Sequence, residues 1–228
     1  MKKIFITLAA LTSFALANAQ EFKPLAGKVA LELNAASPFA ASTPFLLPQY
    51  GFKARYFITD QLVGRLGFNW DLTNSTTPKV LSNGTDKEDE TTSSYSMSIV
   101  PGFEKHFEGT ERLSPYIGAI IPILFGSSED VTFTGVSNVN KTKKTITNAT
   151  GFTSVGLGLL SGADFYFIKS LYLGVEFGLT LNYATQKDKE TSYEVTGGTA
   201  IPTETVDGGT TFKITPAANA AFRLGYWF

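Results

Sequence analysis

His106 is the only histidine of this 228-residue chain, and there is no cysteine. Any hydrolase or acyltransferase site built on histidine would have to use that one imidazole as its base. It falls in a short link between two predicted strands with no visible partner, which reads as a structural turn histidine rather than a catalytic one. No catalytic residue, cofactor or metal is assigned, and the chain is not read as an enzyme. The acidic run Asp86-Lys87-Glu88-Asp89-Glu90, with Glu129 and Asp130, lacks the spacing and glycine of an EF-hand loop and reads as solvated loop charge. No basic patch marks a nucleic-acid partner. What remains is a scattered set of eight charged residues: Glu32, Lys53, Arg55, Arg65, Glu104, Asp164, Glu176 and Arg223. Gathered into one interior, they form either a conduction path or a packed plug of ion pairs. A buried charge without its opposite costs several kcal/mol, which favours the plug.

The elements that carry these residues alternate. In Leu171 to Tyr183 the residues Leu171, Leu173, Val175, Phe177, Leu179, Leu181 and Tyr183 face one way. Gly174, Glu176, Gly178, Thr180 and Asn182 face the other, with the period of two that a strand imposes. Strands of soluble sandwiches usually run to about five or six residues. A tilted strand needs about 9–11 to cross a bilayer, and this segment is long enough.

The same reading gives eight strands. Val29, Leu31 and Leu33 alternate with Lys28, Glu32 and Asn34, and Tyr50, Phe52, Ala54 and Tyr56 with Gly51, Lys53 and Arg55. Leu62, Leu66, Phe68 and Trp70 oppose Arg65, Gly67, Asn69 and Asp71, and Tyr95, Met97, Ile99 and Phe103 oppose Ser94, Ser96, Ser98, Gly102 and Glu104. A fifth strand near Leu113 to Phe125 is apolar on both faces, so its register stays open. Val155, Leu157, Leu159, Ala163 and Phe165 oppose Ser154, Gly156, Gly158, Gly162 and Asp164. The strand of Leu171 to Tyr183 is the seventh. The last sets Phe212, Ile214, Phe222, Leu224, Tyr226 and Phe228 against Lys213, Thr215, Arg223 and Gly225.

Links alternate between short (58–61, 106–112, 167–170) and long (37–48, 73–91, 126–149, 185–209), as short periplasmic turns and longer external loops do in outer-membrane barrels. In the third long link the stretches Val131 to Thr134 and Lys144 to Thr147 also alternate, which predicts a hairpin standing above the barrel. The first long link is apolar, with Phe39, Phe45, Leu46 and Leu47; it is expected to fold over the mouth, lie on lipid or touch a partner, folding over being the plainest option.

The direction of the faces separates two architectures. A soluble sandwich or lipocalin-like barrel turns its apolar face inward and wets the polar one. Here the polar face holds much glycine and few long charged chains, too little to solubilise an exterior but suited to a narrow interior. Eight strands leave just enough room inside for side chains. The aromatics sort as membrane girdles do. Tyr50, Trp70, Tyr95, Tyr183 and Phe212 fall at the loop ends, and Tyr56, Phe103, Phe165, Tyr226 and Phe228 at the turn ends. The fold class is therefore all-β, a closed antiparallel up-and-down transmembrane β-barrel with both ends of the chain on the turn side.

Residues 1–19 read as a cleaved signal peptide: Met1-Lys2-Lys3, an apolar stretch from Ile4 to Leu16, then Ala17-Asn18-Ala19 before Gln20. Residues 20–228 form the barrel domain, its formal charge moving from −1 to about −3 once Lys2 and Lys3 are removed. Beyond the leader no apolar run reaches the roughly 20 residues of a spanning helix.

The segments Tyr56-Phe57-Ile58-Thr59-Asp60-Gln61-Leu62, Leu113-Ser114-Pro115-Tyr116-Ile117-Gly118-Ala119 and Leu171-Tyr172-Leu173-Gly174-Val175-Glu176 resemble those of the small OmpA/OmpX-type outer-membrane β-barrel proteins. The ending is similar to that family's C-terminal assembly signal, carried here by Phe222, Leu224, Tyr226 and Phe228. The resemblance covers the barrel, and no peptidoglycan-binding domain is expected after Phe228. It implies recognition by the barrel-insertion machinery, contact with outer-membrane lipids and lipopolysaccharide, and residence in the outer membrane of a Gram-negative cell after export. Fold does not choose among the family's roles. A structural or surface-interaction protein is expected, its loops presented to an unknown extracellular ligand, the alternative being a narrow conduit for small or hydrophobic molecules. The mature chain is predicted to begin at Gln20. Intact mass of protein taken from outer membranes checks this, and a species that keeps residues 1–19 contradicts it.

Overall fold

The computed structural model describes residues 22–35, 51–137, 140–197, 202–215 and 221–228. The leader, Tyr50 and the apolar stretch around Phe39 to Leu47 lie outside them. Among the described residues there are thirteen strands and no helix. They are β1 (Val29–Ala35), β2 (Gly51–Phe57), β3 (Leu62–Val80), β4 (Lys87–His106), β5 (Leu113–Ile120), β6 (Ile123–Ser137), β7 (Asn140–Thr147), β8 (Phe152–Ile168), β9 (Leu171–Gln186), β10 (Lys189–Thr196), β11 (Glu204–Val206), β12 (Thr210–Thr215) and β13 (Ala221–Trp227).

Antiparallel pairings run from β1 through β2, β3, β4, β5, β8, β9 and β13 back to β1, so eight strands close a ring. Leu33 of β1 stands opposite Leu224 of β13 at the seam. β6 continues the wall of β5, pairing with β4 and β8, and β12 pairs with β9 above β13. A closed ring has no open strand edge, and hydrocarbon offers nothing else to satisfy the backbone of one.

The faces point as a lipid-embedded barrel requires. Leu157 and Leu159 are 65% and 66% exposed, while Ser154 and Asp164 on the opposite phase of β8 are 1% and 0% exposed. Trp70, Tyr95, Tyr183 and Phe212 are exposed towards the loop end. Tyr56, Phe103, Phe165, Tyr226 and Phe228 are exposed towards the turn end, with the last two rings stacked 6.4 Å apart. Leu224 is exposed on the same face; the side chain of Phe222 lies outside the described residues. Trp227 points inward and joins a floor of Ala30, Phe57, Val63, Tyr166 and Tyr172. Its indole N–H donates to the Phe22 carbonyl at 3.1 Å, and the Arg112 guanidinium lies 4.1 Å from the Phe22 ring. The segment before β1 thus packs under the floor and seals the turn end.

The fifth wall keeps one register throughout, with Gly102 facing Ile120 of β5 and Ile99 facing Ile123 of β6. Ser114, Tyr116 and Ile120 are buried, and Leu113, Ile117, Ile121 and Ile123 are exposed. Between β5 and β6 the Ile121 N–H donates to the Pro101 carbonyl at 2.9 Å and the Gly156 N–H to the Pro122 carbonyl at 2.8 Å. Neither proline returns an N–H, so the ladder is interrupted there and the wall divides into two strands.

Three of the long links hold more strand than their polarity indicates. β3 and β4 extend to Val80 and Lys87, and the order β4, β6, β7, β10, β11 builds a sheet beyond the barrel. Thr132 of β6 faces Lys144 of β7 in the hairpin of that link. Alternation marks only the hairpin at Val131 to Thr134 and Lys144 to Thr147; the rest of this sheet has little hydrophobic alternation to read, but its threonines suit β-structure. Lysines stitch it: Lys79 to Glu90 at 2.6 Å, Lys143 to Glu194 at 3.4 Å, and Lys141 to Glu88. Two members of the acidic run are therefore tied across strands rather than freely solvated. The hydrogen bond from Lys79 holds the Glu90 carboxyl below its ordinary range. That tie persists at neutral pH and loosens as acid protonates Glu90.

Leu157→Arg is expected to destabilise the lipid-inserted barrel by about 2–4 kcal/mol. Urea unfolding in vesicles reads this, and an unchanged midpoint contradicts a lipid-facing position.

Candidate functional site

Eight inward positions on seven walls converge on the middle of the lumen. β1 contributes Glu32, β2 Lys53 and Arg55, β3 Arg65, β4 Glu104, β8 Asp164, β9 Glu176 and β13 Arg223, and all are buried. They carry four positive and four negative formal charges. The structure brings the whole set into one connected network.

Arg55 is its hub. Its guanidinium lies 2.9 Å from Glu32, 2.8 Å from Glu104 and 2.5 Å from Asp164, carboxylates on three different strands. Arg65 makes a two-pronged contact with Glu176 at 2.8 and 3.1 Å and reaches Glu104 at 2.8 Å. Such forked pairing exploits the planar guanidinium, which a lysine lacks. Arg223 lies 2.7 Å from Asp164, 3.3 Å from Glu32 and 3.4 Å from Glu176. Lys53 closes the circuit against Glu32 at 2.5 Å and Glu176 at 3.7 Å. Each carboxylate thus meets at least two cations, as charges removed from water must.

Tyrosines fill the gaps between charges. The Tyr116 hydroxyl donates to Glu176 and the Tyr172 hydroxyl to Glu32, both at 2.7 Å. The Tyr116 ring has Arg55 and Arg223 at 5.0 and 5.3 Å from its centroid, within cation–π range. Glycine makes the approach possible at Gly174, where a Cβ would stand 2.5 Å from Arg223 and 2.6 Å from Asp164. At Gly162 it would stand 2.4 Å from the Tyr116 hydroxyl.

His106 is corrected from a turn residue to a lumenal one. It ends β4 and is 3% exposed, with Nδ1 2.8 Å from Ser114 Oγ, Nε2 3.2 Å from Glu104, and its ring 5.0 Å from that of Tyr116. Serine, histidine and carboxylate stand in line, but the serine meets Nδ1 instead of the Nε2 that acts as base in a serine triad. Ser114 is 5% exposed and Glu104 is held by two arginines, so the line pins the lumen wall. The two-residue step from Glu104 to His106 signals this inward position. The same step down from Gly174 gives Tyr172.

The lumen is layered. The aromatic floor seals the turn end, the ion pairs fill the middle, and Val100, Tyr116, Ile120 and Leu160 pack as a second apolar cluster against them.

Residues 40–192 match the OmpA-OmpF-like porin family. Among solved structures the chain is similar to the N-terminal β-barrel domain of Pseudomonas aeruginosa OprF, at 15% identity over 89% of this chain and 98% of that one, with a TM-score of 0.33. It is similar also to the outer membrane protein OprG of Pseudomonas aeruginosa, at 14% identity over 92% and 99% of the two chains, with a TM-score of 0.43. No curated protein matches.

Removing the hub leaves three carboxylates short of a partner. Arg55→Ala is expected to lower stability by about 3–5 kcal/mol, and Lys79→Ala, in the external sheet, by about 1 kcal/mol at most. Urea unfolding in vesicles compares them, and equal losses contradict a buried network.

Proposed function

The chain belongs to the OmpA-OmpF-like porin family, and from that premise we propose an outer-membrane barrel with a structural or surface-interaction role, its lumen stoppered by ion pairs. The observation that carries this reading is the closed network of eight buried charges standing on an aromatic floor. A hydrated path through the barrel would have to break several of these pairs at once. Eight strands enclose little space beyond their own side chains, which agrees with a plug rather than a porin-sized channel.

In this reading the short turns face the periplasm and the extended sheet faces outward, the orientation usual for such barrels. Residues 1–19 act as the export signal. Lipid and lipopolysaccharide cover the apolar band, and the insertion machinery reads the ending that includes Leu224, Tyr226 and Phe228. The outward sheet, rich in threonine and lysine, presents the surface that meets an extracellular partner. The reading includes no catalysis, in keeping with the buried, carboxylate-held His106.

Single-channel recording in planar bilayers separates this role from a conduit. The refolded barrel is expected to give no reproducible conductance steps, and regular steps would sink the stoppered reading.

A further inference from the structure

Towards the loop end the lumen changes chemistry. The inward side chains there are neutral: Asn69 on β3, Ser98 on β4, Ser154 on β8 and Asn182 on β9, all buried. The pairings Asn69 with Ser98, Ser154 with Ala184 and Gly156 with Asn182 set them at neighbouring levels. The Asn69 amide donates to Ser98 Oγ at 3.0 Å. Among the described residues, Asn69 Oδ1, Ser154 Oγ and Asn182 Oδ1 have no hydrogen-bond partner, although an unpaired polar atom at such depth costs about 1–3 kcal/mol. The Asn182 carboxamide rests over Gly156, where a Cβ would stand 2.3 Å from Oδ1. It also lines a cavity of about 650 Å³ together with Phe152, Ala184, Gln186 and Thr211, bordered by Val206 and Gly208. That size lies within the roughly 300–1,000 Å³ of small-molecule sites.

We propose that this vestibule binds a small neutral polyhydroxylated solute, of the size of a mono- or disaccharide, taken from the external side. The inference rests on the stoppered-lumen reading, because a plug below makes the vestibule blind, a receptor site and not a stage of passage. A sugar hydroxyl both donates and accepts, so one group serves the Asn182 carboxamide from either end after a small rotation towards the cavity. The apolar face of a pyranose fits walls of Phe152, Ala184 and Val206, which supply area while the amides fix orientation. Neutrality follows from the four buried side chains Asn69, Ser98, Ser154 and Asn182, none of which is charged. The rim residues Lys187, Lys189 and Asp207 carry a net formal charge of +1.

Saturation-transfer NMR with maltose on barrels refolded in the sugar-free detergent LDAO tests this. Wild type is expected to transfer saturation to maltose. Ala184→Phe, which fills the cavity without touching an ion pair, is expected to abolish transfer. Asn182→Leu is expected to weaken maltose about tenfold, the loss of one buried hydrogen-bonding group. Heat-shifted gel migration verifies that each variant is folded, and Ala184→Phe serves where Asn182→Leu does not fold. No transfer from wild type, equal transfer from wild type and Ala184→Phe, or preference for glucose 6-phosphate over maltose each overturns the proposal. Conductance steps in the bilayer recording overturn the stoppered lumen instead. Silent bilayers without maltose transfer overturn the vestibule alone.

Discussion

Eight charges withdrawn from water must neutralise one another, and the rest of this barrel is arranged so that they do. Desolvating a single carboxylate or guanidinium costs several kcal/mol, more than any one neighbour reliably returns. Arg55 therefore meets three carboxylates and Glu176 meets Lys53, Arg65 and Arg223. The partners lie on seven different walls, so the pairing is complete only when the ring is closed in the right register. A slip of one residue on any wall would send its charge into lipid and leave its partners bare. The network thus links the fold's electrostatics to its topology.

That dependence explains the neighbours of the charges. Gly162 and Gly174 give up side chains so that Tyr116 and Arg223 reach their carboxylates. The aromatic floor and the Phe22 segment beneath it keep water from the turn end, which strengthens every pair above. Outside, the same strands carry apolar residues for the bilayer, so each wall serves two solvents with alternate residues. Beyond the membrane the constraint relaxes. The extended sheet is largely polar and is held by backbone pairing and cross-strand lysine–carboxylate ties.

Much of this was legible in the amino-acid order, because a period of two read against two solvents leaves little choice of face. The ring, the outward aromatics and the inward position of all eight charges can be read from alternation alone. Four things were not legible. Pairings such as Arg65 with Glu176, 111 positions apart, depend on which walls face across the lumen. His106 and Tyr172 extend the inward phase by one step past the charged stretch, where the pattern meets a turn and loses its authority. The fifth wall is apolar on both faces, and its register emerges only from its pairing with β4 and β8. The external strands beyond the β6–β7 hairpin stayed hidden because a largely polar sheet gives little hydrophobic signal.

The network's permanence can be observed directly through arginine side-chain N–H exchange, followed by NMR in lipid nanodiscs after transfer to deuterated water. Arg55, Arg65 and Arg223 should keep guanidinium N–H signals for hours, while the exposed Arg112 loses its own within the dead time. Loss of all four at the same fast rate would mean that water moves freely through the lumen, and would contradict a sealed core of ion pairs.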